Sequence, residues 1–462
     1  MQAHSLCYSG SANMTSTPTV TAARGSTRKP LPRSTSLPPP AMPIYTALQA
    51  ADPDVYNALM GEMQRQREGV ELIASENYIS CAVLETMGTV FNNKYSEGYP
   101  SKRYYGGQQF TDIVESLAIE RAKKLFKAGH ANVQPHAGAP ANIATYFALM
   151  EPGDTIMGMD LSHGGHLTHG HPVTYITKIF KFVRYKMKDV ETGEIDYDEM
   201  REIARREKPK VLMGGFSAYP RELNYAKMQA IAKEVGAVSI MDMAHIAGLI
   251  AGGALRNPFD DGFDLCLTTT HKTLRGPRGG MILTREEELG KKIDKQVFPG
   301  FQGGPIMQMV AAKAVAFGEA MKPEFKVYAH QIIKNAKHMA QYFMDHGVKL
   351  ITNGTDNHMM LIDCITSWNM SGKEVEHLFD SIGITLNKNM IADDPRKPMD
   401  PSGVRLGTPA ITTRGMKEPE MEKLAGFMLK AIEIRADETA LRKLHEEVKE
   451  FCLRYPVPGI DK

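Results

Sequence analysis

Apolar positions along the chain follow two rhythms. Between residues 54 and 71 they recur at helical spacing, with Val55, Leu59 and Met63 on one side, which predicts a helix from Asp54 to Glu71. Further helices are predicted over Ser80–Phe91 and over Asp112–Phe126, the latter with Asp112 and Glu115 at its acidic start. From Ala131 short apolar runs alternate with helical stretches. Strand Ala131–Gln134 leads through HAGAPAN to helix Asn142–Met150, and strands Thr155–Met159 and Lys210–Met213 follow. Helix Ala226–Val235 is closed by Gly236, and strand Val238–Met241 ends at Asp242. Strand Leu265–Thr270 ends at Lys272, and Gly280–Thr284 is a further strand. This alternation predicts an α/β fold: a mainly parallel sheet with helices on both faces. In such sheets ligands sit at the carboxyl ends of strands, where Ser217, Asp242 and Lys272 fall.

After residue 304 the rhythm changes. Helical stretches run over 305–321 and over Lys326–His346, with Gly347 as C-cap. Strands around Leu350 and over Met359–Ile365, a helix Gly372–Ser381 and a helical region from Glu418 to about Arg454 complete a smaller α+β domain. The expected organisation is a leader over 1–42, an N-terminal helical arm over 43–93, a large domain over 94–324 and a small C-terminal domain over 325–462.

Composition narrows the function classes. Net charge is only +2, so no charge excess points to nucleic acid or an anionic membrane. The most apolar long stretch, Ala237–Leu255, is interrupted by Asp242 and His245 and makes a poor bilayer span. Five scattered cysteines with no CxxC pair argue for a reduced compartment, against a disulfide framework and against a zinc site. The leader has no acid before Asp52, is rich in Ser, Thr and Pro, and carries Arg24, Arg28, Lys29 and Arg33. It resembles an organelle transit peptide, mitochondrial or other; the alternative is a tail on a cytoplasmic protein.

Candidate chemistry gathers at a few points. Lys272 in LCLTTTHKTLRGP is delivered by an apolar strand onto a Gly/Pro-punctuated loop, beside His271 and four threonines. An amine so placed can form a Schiff base with an aldehyde cofactor. Asp242 in SIMDMAHIAG is either a structural ion-pair partner or the anion that faces a protonated pyridine nitrogen, and His245 can reach the same ring. HGGHLTHG spaces His163, His166 and His169 evenly, but its glycines break any common helical face, which favours an imidazole stacked on an aromatic cofactor over a metal site. Gly138 just before a helix, and the pair Gly303–Gly304 in FQGGP, are anion-binding candidates. Arg405, between glycines, suits capture of a carboxylate. Glu97 in YSEGYP is a candidate proton carrier among Tyr95, Tyr99 and Tyr105.

Seven motifs occur in one order: LIASENY, YSEGYPSKRYYGG, GGHLTHG, DMAHIAG, TTTHKTLRGPRGG, FPGFQGGP and RLGTPAITTRG. From about Tyr45 onward the chain thereby resembles the serine hydroxymethyltransferases, pyridoxal-phosphate enzymes of the aspartate-aminotransferase-like fold, which implies a seven-stranded sheet in the large domain. The resemblance implies conversion of L-serine and tetrahydrofolate to glycine and 5,10-methylenetetrahydrofolate, with pyridoxal 5'-phosphate as cofactor. It implies that Lys272 carries the cofactor, Asp242 pairs with the pyridine nitrogen, His166 stacks on the ring, and Ser217 and His245 contact the phenolic side. Gly138 and Ala139 would hold the phosphate, with Tyr95, Gly303 and Gly304 contributed by the other subunit of a homodimer. Ser75, Tyr105, His271 and Arg405 would surround the amino acid, Glu97 would be the acid/base group donated across the dimer, and Leu161, Gly165, Leu167 and Asn389 would line the folate site.

Two departures matter. The family usually carries serines in the phosphate loop where this chain has Ala137, Gly138 and Ala139, so looser cofactor binding is expected. The short segment between Arg285 and Phe298 lacks the insert of tetrameric, animal-type members, which favours a bacterial-like dimer. The competing readings are a threonine aldolase-like enzyme of the same fold and a cofactor-poor regulatory paralogue, the latter motivated by Ala137 and Ala139.

Overall fold

The structure, a computed structural model, describes residues 45–461; the leader lies outside them. Seven strands form the central sheet: β1 (His130–Asn132), β2 (Thr155–Met159), β3 (Lys181–Tyr185), β4 (Val211–Gly215), β5 (Val238–Asp242), β6 (Leu265–Thr269) and β7 (Gly280–Thr284). Their spatial order is β1-β7-β6-β5-β4-β2-β3. All neighbouring pairs from β6 to β3 are parallel, whereas β7 runs antiparallel to both β6 and β1.

Burial on both faces explains why these strands read as continuous apolar runs. Every residue of β4, β6 and β7 is buried. Side chains alternate between two apolar layers as the pleat requires. Val211, Met213, Ile240, Leu265 and Leu267 enter one layer with Ala141, Ala144 and Tyr146 of helix Gly138–Leu149. Leu212, Met241 and Cys266 enter the other, against helices Gln109–Phe126, Tyr225–Val235 and Met307–Ala320.

A second, antiparallel sheet has the order β8-β10-β9, formed by β8 (Met359–Asp363), β9 (Asn387–Asn389) and β10 (Gly403–Gly407). It packs with helices Pro323–Asp345, Gly372–Ser381, Glu418–Glu433 and Glu438–Cys452 around its own apolar cluster. Val70 and Leu72 belong to that cluster, and Val70–Glu71 pairs in parallel with Ile384–Thr385. Among the described residues no helix is long and apolar enough to cross a membrane.

Several boundaries differ from the sequence reading. The first predicted helix ends at Glu68, because Gly69 leaves the helical conformation and Val70–Glu71 becomes a strand. The helix predicted from Asn142 begins at Gly138, one turn earlier. Leu350 forms only a single bridge to Ile362, not a strand. The region after Glu418 breaks at residues 434–437, where Asp437 caps the second helix through Thr439 and Ala440 N–H. Strand β3 went unpredicted: as the edge strand it exposes Lys181 and keeps only Tyr185 buried, so its apolar signal is weak.

Candidate active site

Two adjacent strand ends build the centre of the site. Asp242 is the last residue of β5, and Lys272 lies on the turn after its parallel neighbour β6. Both line one cavity of about 370 Å3, together with Ser75, Gly138, Ala139, Asn142, His166, Ser217, His245, His271 and Arg405. The Lys272 turn is fixed from outside: Asn77 donates to the Lys272 carbonyl (2.9 Å), and the Asn77 carbonyl oxygen accepts from the Thr413 hydroxyl (2.7 Å).

Asp242 is buried, and both of its oxygens accept hydrogen bonds. Its Oδ2 accepts from Asn142 Nδ2 (3.0 Å) and His169 Nε2 (3.2 Å), and its Oδ1 accepts from the Ala244 N–H (3.1 Å). The His169 tautomer follows from its other nitrogen. Nδ1 accepts the His166 N–H, so Nε2 carries the proton given to Asp242. Burial alone would raise this carboxyl, but the hydrogen bonds from His169 and Asn142 hold it well below the usual carboxylate range. Asp242 is therefore an anion.

Burial acts the other way on the amine. It pushes Lys272 down to about 8; Asp242 opposes this, and Arg405 and Arg278 add to it. A sizeable neutral fraction of a buried amine is the form that attacks an aldehyde. The neighbouring imidazoles are neutral. His166 is pushed down to about 4 and His271 to about 3, in both cases chiefly by burial. His166 Nδ1 accepts from the Thr168 N–H (3.2 Å), which leaves its ring in a fixed plane at the cavity. His245 is buried and stacked on His358 with ring centroids 5.4 Å apart.

Arg405 lies on the central strand β10 and is buried, although its glycine neighbours read as a loop in sequence. Its Nη1 donates to the Ser217 carbonyl (2.6 Å) and its Nε to Asn387 Oδ1 (3.1 Å). Burial pushes the guanidinium down to about 10, still fully cationic near neutrality. At the other side of the cavity Gly138 opens helix Gly138–Leu149, and a Cβ there would lie 2.8 Å from Thr269 Cγ2. Ala137 caps that helix without a side-chain hydrogen bond, so the first turn offers backbone N–H groups alone.

A second group of predicted residues gathers elsewhere. Tyr95, Glu97, Tyr105, Gly303 and Gly304 do not line the Lys272 cavity. They lie together: Tyr95 and Tyr105 meet edge to face at 5.5 Å, and a Cβ on Gly303 would lie 3.5 Å from Glu97 Oε1. Tyr105, expected beside Ser75 and Arg405, belongs instead to this exposed cluster of the same chain, where the Glu97 charge raises its hydroxyl. Arg103 brackets Glu97 by donating to the carbonyls of Ser96 and Gly98 (2.9 Å each), and is itself held by buried Glu115 (2.5 Å).

The predicted folate residues are not among those that line the cavity. Leu161 and Leu167 open two short 3-10 turns, Leu167 is exposed, and the Gly164 carbonyl between them accepts the Ser217 N–H (2.7 Å). Gly165 is pressed onto the Met159 carbonyl, with no room for a Cβ. Asn389 lies on β9, two residues from the Asn387 that holds Arg405.

A family model for serine hydroxymethyltransferase matches residues 48–428. The chain belongs to the serine hydroxymethyltransferase family. It is 52% identical over 414 residues to a protein named serine hydroxymethyltransferase from Acidobacterium capsulatum, covering 89% of this chain and 96% of that protein. It is 53% identical over 410 residues to one from Rippkaea orientalis, covering 88% and 96%. The serine hydroxymethyltransferase match leaves out the leader, since it begins at residue 48.

Sequence reasoning missed three residues that a serine hydroxymethyltransferase of this chain depends on geometrically. Asn142 and His169 hold Asp242, and Asn77 holds the Lys272 turn. Asn142 could have been found one helical turn after Gly138, on the face that follows the anion-binding end. His166, His169 and Asp242 also bring three ligand atoms within 4.8 Å of one another. Each is already hydrogen-bonded, and the evenly spaced His163 points away to Asp393 (3.2 Å).

Proposed function

We propose that the Lys272 cavity binds pyridoxal 5'-phosphate and interconverts L-serine and glycine, with tetrahydrofolate taking up the one-carbon unit as 5,10-methylenetetrahydrofolate. The observation that carries this reading is the meeting of a buried anion, Asp242, a half-buried amine, Lys272, and a buried guanidinium, Arg405, in one cavity. An acceptor for a pyridinium N–H, an amine for an aldehyde and a cation for a carboxylate are the groups that the cofactor and an amino acid require. When bound, the cofactor supplies an electron sink for the pair left at the serine Cα as its bond to CH2OH breaks.

The residues of the chain do the rest. Asp242 holds a proton at the pyridine nitrogen. Lys272 would hold the aldehyde carbon and, as a free amine, would carry the proton that glycine takes up at Cα. His166 lies on the ring face, and Ser217 and His245 on its phenolic side. The N–H groups at Gly138 and Ala139 orient the phosphate, aided by the positive end of the helix dipole. Arg405 binds the substrate carboxylate, with Ser75 and His271 beside it. Leu161, Gly165, Leu167 and Asn389 shape the approach of the folate.

The exposed Tyr95–Glu97–Tyr105 cluster, with Gly303 and Gly304, serves the cavity of a second copy in a homodimer, where Glu97 is the acid/base group. The basic, acid-free leader is the companion proposal: an organelle address, tested by imaging a fusion of the first ~45 residues. A fusion that stays in the cytoplasm contradicts it. For the activity, serine cleavage is measured with and without tetrahydrofolate. The reading requires dependence on the folate and loss of turnover in Lys272→Ala; equal cleavage without folate points to aldolase chemistry.

A further inference from the structure

Helix Met307–Ala320 starts just after the FPGFQGGP loop, and its inward face is apolar except for one residue. That residue, Lys313, is 2% exposed. No carboxylate among the described residues lies within ion-pair distance of it. Its ammonium donates instead to three backbone carbonyls: Val133 (2.6 Å), Gly280 (2.8 Å) and Pro135 (3.2 Å). Three donors meet three acceptors, so the group is satisfied. Burying a lysine with no carboxylate in contact is nevertheless costly, and burial pushes its pKa down to about 7, opposed only by the more distant charge of Glu115. A methionine or leucine would fill the same space at lower cost. The charge therefore calls for a reason beyond packing.

The three acceptors belong to the two segments that carry the cofactor site. Val133 and Pro135 lie between β1 and Gly138, the first residue of the anion-binding turn. Gly280 closes the loop that starts at Lys272 and opens β7. The same two segments are also joined directly, by the Gly280 N–H to the Pro135 carbonyl (2.9 Å). The glycine pair in RGPRGG is explained by this junction. A Cβ on Gly279 would overlap Lys313 Cε, and a Cβ on Gly280 would overlap the Ala137 carbonyl.

We propose that Lys313 is a positioning residue that clamps the Gly138 turn to the Lys272 loop and so fixes the span between the phosphate and aldehyde ends of the cofactor site. Such a clamp matters more in this chain because Ala137 and Ala139 bring no hydroxyls of their own to the turn. The inference rests on the cavity being a pyridoxal-phosphate site.

Equilibrium dialysis of the full chain with pyridoxal phosphate tests it, comparing the native protein with Lys313→Met and Gly279→Ala. The expected result for Lys313→Met is a cofactor dissociation constant raised by about tenfold or more, with the serine KM at saturating cofactor within about twofold of native. An unchanged dissociation constant overturns the assignment, and so does a parallel rise in serine KM, which marks a general loss of packing. If Lys313→Met does not fold, Gly279→Ala decides, since it keeps the charge but displaces the side chain; several-fold weaker cofactor binding supports the clamp and native affinity overturns it. Failure of the native protein to take up the cofactor would instead sink the reading of the cavity itself.

Discussion

His169 gives its Nε2 proton to Asp242 Oδ2 across 3.2 Å, and its own Nδ1 is occupied by the His166 N–H. The histidine that holds Asp242 is thus not His166, the one proposed for the face of the cofactor ring. A hydrogen bond to a charged group is worth about 1.5–3 kcal/mol. His169→Phe is expected to let the Asp242 carboxyl rise and to lower kcat on the order of 10–100-fold, with serine KM changed little. Steady-state kinetics check this. An unchanged kcat would show that Asn142 and the Ala244 N–H suffice.

The separation of Lys272 from the Glu97 cluster predicts complementation between subunits. Lys272→Ala and Glu97→Gln are each expected to be inactive in serine cleavage. Co-expressed and randomly paired, they should recover roughly a quarter of native activity, because half the dimers are mixed and each mixed dimer keeps one intact site. Purified mixed dimers without activity would place both residues in the site of one chain.

The hydroxyl-free first turn at Gly138 predicts a gain on substitution. Ala139 lines the cavity, and Ala139→Ser would add one donor to a bound phosphate. The cofactor dissociation constant should fall by about tenfold or more, as read by dialysis. An unchanged constant would mean that the backbone N–H groups already saturate the anion.

The depressed amine predicts a pH dependence. Below about 8 Lys272 is mostly protonated and cannot attack an aldehyde; above it the neutral form dominates. The rate of cofactor uptake by apo-protein should therefore rise through pH 8, as followed by stopped-flow absorbance. Asp242 is the group that holds this value up, so Asp242→Asn should move the midpoint lower. A shift upward contradicts the electrostatic account.

Much of this site was legible because its main residues sit at the ends of buried parallel strands. Asp242 and Lys272 follow runs that are apolar on both faces, and such runs announce themselves in sequence. Arg405 was legible as chemistry but not as structure. Val404 and Leu406 are too short an apolar pair between glycines to mark a central strand, and only the pairing with β8 and β9 makes it one. Asn142 and His169 reach Asp242 from 100 and 73 residues away, and no local pattern reports a tertiary approach of that kind. Tyr105 was grouped with Arg405 because the family surrounds the amino acid with both. In one chain the loop containing it folds toward Glu97 and away from the cavity.

Whether Lys272 holds the cofactor opposite an ionised Asp242 is settled most directly by covalent trapping. The protein is loaded with pyridoxal phosphate, reduced with borohydride, digested and mapped by mass spectrometry. The expected result is a pyridoxyl group on Lys272, and none at that position in Lys272→Ala. A label on another lysine, or no label after loading, would contradict it.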